Sequence, residues 1–132
     1  MKSPLLPLQK ALWNRLRSAL ACSIYDDFPE QESFPYMTTG EMRGSDWSAK
    51  AEPGQEITAS VHVWSRYPGK KECLEIMDQI IQALSPSRPL ELEGGFKIIV
   101  DRIDASEIIV DMDGKTRHGI VQWKFKIEEI LS

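Results

Sequence analysis

The stretch EITASVHVWSR, residues 56–66, alternates strongly apolar side chains with more polar ones. The side chains divide into two sets, Ile57, Ala59, Val61 and Val63 on one face and Thr58, Ser60, His62 and Trp64 on the other. A period of two residues is typical of a β-strand with one face in the core. We therefore predict that residues 56–66 form the central strand of a sheet.

A second alternating stretch lies near the C-terminus. In residues 118–127 the alternate positions on one face are large and apolar: Val121, Trp123, Phe125 and Ile127. The dipeptide Asp113-Gly114 precedes them, and Asp-Gly is favoured in tight hairpin turns. We predict a strand over residues 96–105 that continues, through a bulge near Ser106, into residues 108–110 and then turns into the last strand.

Two stretches have helical periodicity. The leucines Leu5, Leu8, Leu12, Leu16 and Leu20 predict a helix over about residues 4–20, with Ser3 as the N-cap. Because Pro7 removes a backbone donor, that helix could also begin as late as Pro7. A second apolar stripe predicts a helix over residues 70–84, formed by Cys73, Met77, Ile80, Ile81 and Leu84.

The remaining segments are less regular. We predict mainly irregular chain over residues 21–35, with a very short strand at residues 23–25. A strand is expected over residues 34–41, followed by a long polar loop from Gly40 to Gly54. Residues 90–92 could form another short strand. The order of helices and strands predicts an α+β fold, a largely antiparallel β-sheet with two α-helices packed on one face, in one domain over residues 1–132.

Charge and cysteine usage exclude several classes of protein. The net charge of −4 and the pI near 5.2 argue against specific nucleic acid binding. No stretch approaches the length of a membrane span, and the apolar run at residues 5–8 is too short for a signal peptide. Cys22 and Cys73 have apolar neighbours, which indicates buried free thiols and a reducing cytosolic origin.

The residue types that carry chemistry do not form a recognisable pattern. Gly114-Lys115-Thr116 resembles the end of a phosphate-binding loop, but Ile109 stands where that loop needs a glycine. The two histidines and two cysteines contain no short ligand pair. We therefore expect no metal, no cofactor and no catalytic residue, although a Cys/His nucleophile pair stays open on sequence grounds.

Two groups of residues are candidates for a protein interface. Basic side chains cluster around the last hairpin: Lys115, Arg117, His118, Lys124 and Lys126. They could contact an acidic partner or form a solvated sheet face. In the predicted polar loop, Trp47 lies beside Asp46 and near Lys50. This tryptophan could anchor an interface or fold back on the core.

Several short motifs, taken in order, resemble one known family, the tail-completion (tail-to-head joining) proteins of long-tailed phages and prophages. The segments that carry the resemblance are residues 4–12, 24–26, 34–36, Gly40-Glu41, Asp46-Trp47-Ser48 with Lys50, residues 62–65 and residues 113–119. Each motif is weak alone, but together they span about residues 5–125 in the expected order.

The resemblance implies a fold like that of phage tail-terminator proteins and a structural role without enzymatic activity. Such proteins cap the finished tail as a hexameric ring and join it to the head. The implied partners are other copies of the chain, the tail tube protein and the head connector, with no membrane. The implied location is the tail–head junction of the virion, after assembly in the host cytoplasm.

Three alternatives remain open from the sequence alone. The chain could act as the ring-forming assembly protein just described. It could instead be a monomeric α+β binding module that takes an acidic peptide or small ligand on its basic hairpin. A small hydrolase with a Cys or His site is the third. The net charge and the scarcity of obviously exposed apolar side chains favour a soluble monomer that forms rings only on a tail end.

Overall fold

The computed structural model describes residues 2–29, 33–47, 53–85 and 87–130. These residues form two helices and a five-stranded sheet. In chain order the elements are α1 (Leu5–Ala19), β1 (Ser23–Tyr25), β2 (Tyr36–Asp46), β3 (Gly54–Ser65), α2 (Lys71–Ala83), β4 (Phe96–Val110) and β5 (Arg117–Glu129). The predicted α+β class is confirmed.

The strands lie in the order β1-β2-β3-β5-β4. Strand β1 runs parallel to β2, and the other three neighbouring pairs are antiparallel. The predicted central strand is indeed central, because β3 pairs with β2 on one side and β5 on the other. Strand β5 in turn separates β3 from β4, so β4 lies at one edge of the sheet.

One face of the sheet packs against both helices and forms the core. Alternate residues of β3 and β5 point into it, and Ile57 lies directly opposite Phe125 in the register of the two strands. The helices add Leu8, Leu12 and Leu16 from α1 and a second stripe from α2, Cys73, Ile76, Met77 and Ile80. The sequence pattern had not included Ile76. Neither helix in the described ranges is long and apolar enough to span a membrane.

Helix α1 begins at Leu5, close to the predicted start and ahead of Pro7. Pro7 is tolerated because the first backbone N–H groups of a helix have no intrahelical acceptor to lose. The N–H of Leu8 then donates to the carbonyl oxygen of Pro4 at 3.0 Å. The N-cap position is Pro4 rather than the predicted Ser3, whose hydroxyl oxygen accepts from the N–H of Leu5 at 3.3 Å.

Helix α2 approaches the sheet closely at Gly119 in β5. A Cβ atom at this position would lie 2.6 Å from the Met77 sulfur and 2.8 Å from the Cys73 sulfur. Glycine is therefore required for α2 to pack on the sheet at this distance. Burial of Cys73 in this contact raises its thiol pKa to about 11, as expected for an unreactive core thiol. Cys22 is half-buried rather than buried, in contrast to the sequence prediction.

The predicted loop from Gly40 to Gly54 is wrong for its first seven residues. Strand β2 continues to Asp46 because residues 42–46 pair with residues 55–59 of β3. The backbone hydrogen bonds of this antiparallel hairpin hold polar residues in a strand whose side chains are largely exposed. A register shift between Thr39 and Met42 marks a bulge at residues 40–41. Of the predicted loop, residues 48–52 lie outside the described residues.

Of three smaller expectations, one changes and two are confirmed. Residues 90–92 form no strand; Leu90 packs into the core from irregular chain. Strand β4 is continuous over residues 96–110, with register shifts at residues 98–100 and 103–105, and the second of these lies next to the bulge expected near Ser106. The turn at Asp113-Gly114 is confirmed, since Gly114 has a positive φ of 70° that glycine adopts readily. The N–H groups of Lys115 and Thr116 both donate to the Asp113 carboxylate at 2.8 Å.

Candidate functional site

The sheet face opposite the helices, here called the open face, carries a cluster of aromatic and titratable side chains. The ring of Trp64 stacks on that of His118, with centroids 3.8 Å apart and an angle of 11° between the planes. His62 stacks beside them, 4.8 Å from His118. Phe28 lies 5.2 Å from Trp64, in a tilted arrangement. Alternation in β3 and β5 therefore gives the open face an aromatic platform.

Glu41, His62 and His118 are connected by polar contacts across three strands. His62 Nδ1 lies 2.6 Å from His118 Nε2, and His62 Nε2 lies 3.3 Å from a carboxylate oxygen of Glu41. The hydroxyl of Ser60 donates to the same carboxylate. Glycine at position 40 makes this arrangement possible, because a Cβ atom there would lie 2.5 Å from the His62 ring.

The electrostatics of these three groups follow from their contacts. The Ser60 hydroxyl and a backbone hydrogen bond stabilise the charged form of Glu41 and lower its pKa to about 2, with a smaller contribution from His62. Burial, and then the neighbouring His62, lower the pKa of His118 below its ordinary value. At neutral pH His118 is therefore an uncharged ring, not a cation for an acidic partner.

The turn between β4 and β5, here called the tip (residues 111–116), forms a second polar network. The Thr116 hydroxyl donates to Asp113 at 2.6 Å and accepts from Nε of Arg66 at 3.2 Å. Three hydrogen bonds from Thr116 and Lys115 lower the Asp113 pKa to about 2. The Arg66 guanidinium also lies 4.3 Å from the Phe34 ring centroid. These contacts fix the tip against the end of β3.

The structure places the predicted interface residues at opposite ends of the sheet. Asp46 and Trp47 lie near Gly54, at the start of β3, because Asp46 pairs with Gln55. Lys115, Arg117 and His118 lie near Ser65, at the end of β3, because Ser65 pairs with Arg117. Strand β3 has 12 residues, so these two ends are about 36 Å apart. Lys50 lies outside the described residues. The candidates thus form two separate surfaces. Asp46 and Trp47 form one, here called the Trp47 end, and Lys115, Arg117 and His118 form the other, at the tip.

The predicted basic cluster is also divided. Lys124 lies 3.6 Å from a Glu56 carboxylate oxygen and 3.7 Å from that of Asp104. Lys126 lies over the Trp47 ring, with its ammonium 4.9 Å from the ring centroid. Two acidic side chains thus lie beside Lys124, and the ammonium of Lys126 lies against an aromatic ring. This arrangement does not favour an acidic-peptide module built on the whole basic set.

Trp47 packs against its own sheet. The backbone N–H of Trp47 donates to the carbonyl oxygen of Gly54 at 2.8 Å, and a Cβ atom on Gly54 would lie 2.9 Å from the indole ring. With Lys126 over the ring, the side chain is half-buried. Of the two interpretations of this tryptophan, the geometry favours packing on the domain, and part of the ring remains accessible.

We expect Trp47→Ala to lower the free energy of unfolding by about 1–2 kcal/mol, since a half-buried ring and a cation–π contact are lost. Urea denaturation followed by circular dichroism measures this change. The matched variant Lys126→Met keeps an apolar contact but removes the charge, and should cost less than about 1 kcal/mol. Unchanged stability of Trp47→Ala would contradict the packing of the ring on the sheet.

Strand β4, here called the outer strand, exposes apolar side chains along its length. These side chains, Ile99, Ile103, Ile109 and Val110, are between 41% and 47% exposed, and Met112 in the tip is fully exposed. No strand among the described residues pairs with the far side of the outer strand. A long, exposed, apolar edge strand is an aggregation hazard unless another chain covers it.

The described residues contain no cluster of three or more histidine, cysteine or acidic side chains placed to hold a metal ion. Gly114-Lys115-Thr116 lies in the tip, between two strands, so it is not followed by the helix N-terminus that a phosphate-binding loop needs. The polar and aromatic clusters described above lie on the open face, at the tip and around Trp47, and exposed apolar side chains lie along the outer strand.

Comparison with solved structures first identifies a protein of the same fold. The fold superposes on a chain of the virion of a native gene transfer agent particle with a TM-score of 0.84, covering 97% of this chain and 99% of that one. The two sequences are 16% identical, so this similarity concerns the fold alone. The architecture is thus one found in a chain of a gene transfer agent particle.

Sequence comparison then identifies the family. The model of the tail completion protein gp17 family matches residues 10–128. Tail completion protein gp17 of Bacillus phage SPP1 is 28% identical over 125 residues, which cover 91% of each chain. The structure of SPP1 gp17 superposes with a TM-score of 0.56 at 25% identity, covering 91% of this chain and 88% of that one. The chain belongs to the gp17 tail-completion family, and its role lies in phage tail assembly.

Proposed function

We propose that this protein caps the finished phage tail as a hexameric ring and forms the interface that joins the tail to the head. The family match over residues 10–128 supports the tail role. The apolar outer strand, whose far side meets no strand among the described residues, supports self-association. In this role the protein is a structural component of the virion, with no enzymatic activity or cofactor of its own.

The two edges of the sheet support ring formation. At one edge lies the outer strand, and at the other β1 covers β2 only at residues 36–38. Residues 39–46 of β2 have no strand on that side within the described part of the chain. Two different edges on opposite sides permit head-to-tail contacts between identical subunits, and such contacts produce a closed ring when the rotation between neighbours closes.

The two separated ends of the sheet support the joining role. The Trp47 end and the tip carry different side chains and lie about 36 Å apart along β3. A joining protein needs contacts with two partners, one on each side of its ring. We assign one end to the tail tube protein and the other to the head connector, so Asp46, Trp47 and Lys50 serve one contact and Lys115, Arg117 and His118 the other.

The proposed ring forms on the tail rather than in free solution. A protein contact of standard size buries about 800 Å² on each partner, and weak contacts reinforce one another in a closed ring. The tail end supplies a template that brings the subunits together after synthesis in the host cytoplasm. The final location of the protein is then the tail–head junction of the virion.

We expect deletion of the gene to leave filled heads and complete tails that remain unjoined, because no other component supplies the joining surface. Electron microscopy of lysates, with plaque counts, measures this outcome. Restoring the gene on a plasmid is the control and should recover joined particles. Normal numbers of infectious particles from the deletion would contradict the proposed role.

A further inference from the structure

We propose that Glu41, His62 and His118 form a proton-operated latch on the open face, which accommodates one added proton and breaks when a second one binds. The latch is independent of whether the protein forms a ring. It links three adjacent strands of the sheet, since β2, β3 and β5 each contribute one of the three side chains.

The contacts of the latch are held in place by the surrounding structure. The bulge in β2 puts Glu41 beside His62, and Gly40 leaves the space that the His62 ring occupies. On the other side Trp64 stacks on His118 at 3.8 Å between ring centroids. The Trp64 indole N–H donates to the Thr38 hydroxyl at 3.0 Å, which connects the stack back to β2.

A first added proton fits this geometry, because a single proton still lies between His62 Nδ1 and His118 Nε2. A protonated imidazole has two N–H donors, and His62 has one acceptor in reach of each nitrogen. Its Nδ1 faces His118 Nε2 at 2.6 Å, and its Nε2 faces the Glu41 carboxylate at 3.3 Å. The carboxylate also compensates the new positive charge, so the hydrogen bond between the two histidines persists.

A second proton does not fit. With both rings protonated, the N–H groups of His62 Nδ1 and His118 Nε2 would face each other 2.6 Å apart. Two cationic rings with centroids 4.8 Å apart would also repel. Burial and His62 both lower the pKa of His118, whereas Asp111 in the tip, Glu41 in β2 and Glu107 in the outer strand raise it. The lowering effects outweigh the raising ones.

The consequence is a loss of stability on acidification. In the unfolded chain a histidine titrates near pH 6.5, at about its ordinary pKa. Because the pKa of His118 is lower in the folded protein, the unfolded chain binds more protons below that pH. Stability therefore falls as the pH falls through about 6.5 and levels off below the folded-state pKa. In acid, the open face loses the contacts that hold Trp64, His118 and the β2 bulge together.

Nitrogen-15 NMR of histidine-labelled protein tests the latch directly, because the chain contains 2 histidines. At neutral pH we expect His118 to carry its proton on Nε2, because the charged Glu41 carboxylate accepts the Nε2–H of His62 and leaves His62 Nδ1 as an acceptor. Titration should then give two steps separated by more than about one pH unit, as expected for strongly coupled groups. Glu41→Gln should lower the first step while leaving the two steps distinct. His62→Gln and His118→Gln assign the signals.

Thermal unfolding between pH 7 and pH 5 provides a second readout. His118→Phe retains a ring for Trp64 to stack on but cannot be protonated, so its melting temperature should depend less on pH than that of the wild type. Two histidines that titrate independently, each in a single step near the ordinary value and with Nε2 of His118 unprotonated at neutral pH, would overturn the proposal. The wild-type titration decides this even where a variant fails to fold.

Discussion

The double substitution Ile103→Lys/Ile109→Lys in the outer strand is expected to abolish tail–head joining while the isolated protein stays folded. The two side chains are 42% and 45% exposed, so lysine is tolerated in the monomer. In the proposed ring the same positions are covered by a neighbouring subunit. Losing their burial costs about 3 kcal/mol in each contact, more than a hundredfold in its association constant. Negative-stain microscopy and melting curves measure the two effects.

The matched control for the outer strand is Leu74→Lys on helix α2. Leu74 is 46% exposed, so it has nearly the same exposure as the two isoleucines but does not lie at a sheet edge. We expect this variant to join tails to heads normally. Normal joining by the double variant, or an equal defect in the Leu74 variant, would show that the outer strand is not a subunit contact.

The second large effect is expected from Phe125→Ala in the core. Phe125 is 1% exposed, lies opposite Ile57 in the sheet and belongs to the cluster beneath both helices. Truncation of a buried phenylalanine leaves a cavity and costs about 3–5 kcal/mol. In a protein of this size that loss lowers the melting temperature by roughly 10 °C or more. Urea unfolding followed by circular dichroism measures the free energy.

Phe125→Leu is the control for this prediction. It keeps an apolar side chain of nearly the same reach and should cost less than about 1.5 kcal/mol. A small loss of unfolding free energy for the alanine variant, similar to that for leucine, would indicate that the core between the sheet and the helices is not tightly packed.

The parts of the fold that bury one face were predictable from the sequence. The alternation in residues 56–66 and 118–127 and the leucine spacing of α1 directly report which side chains face the core. The second half of β2 was not predictable in this way. Its residues are polar and largely exposed, and they are held in a strand by backbone pairing with β3, which leaves no apolar pattern in the sequence.

The open-face cluster was missed for a different reason. His62 and His118 are 56 positions apart, and they meet because β5 inserts beside β3. The alternation pattern placed His62 on the less apolar face of its strand, but the strand order that brings His118 beside it is a tertiary property. The interface candidates show the same limit, since the sequence could not reveal that Trp47 and Lys115 lie at opposite ends of the sheet.

The most direct test of the central claim is cryo-electron microscopy of the head-proximal end of tails assembled with this protein. We predict six copies of the chain in one closed ring at that end. The outer strand of each copy should lie against a neighbouring subunit, and the Trp47 end and the tip should point in opposite directions along the tail. A tail end without this protein, or with single copies that do not touch one another, would contradict the account.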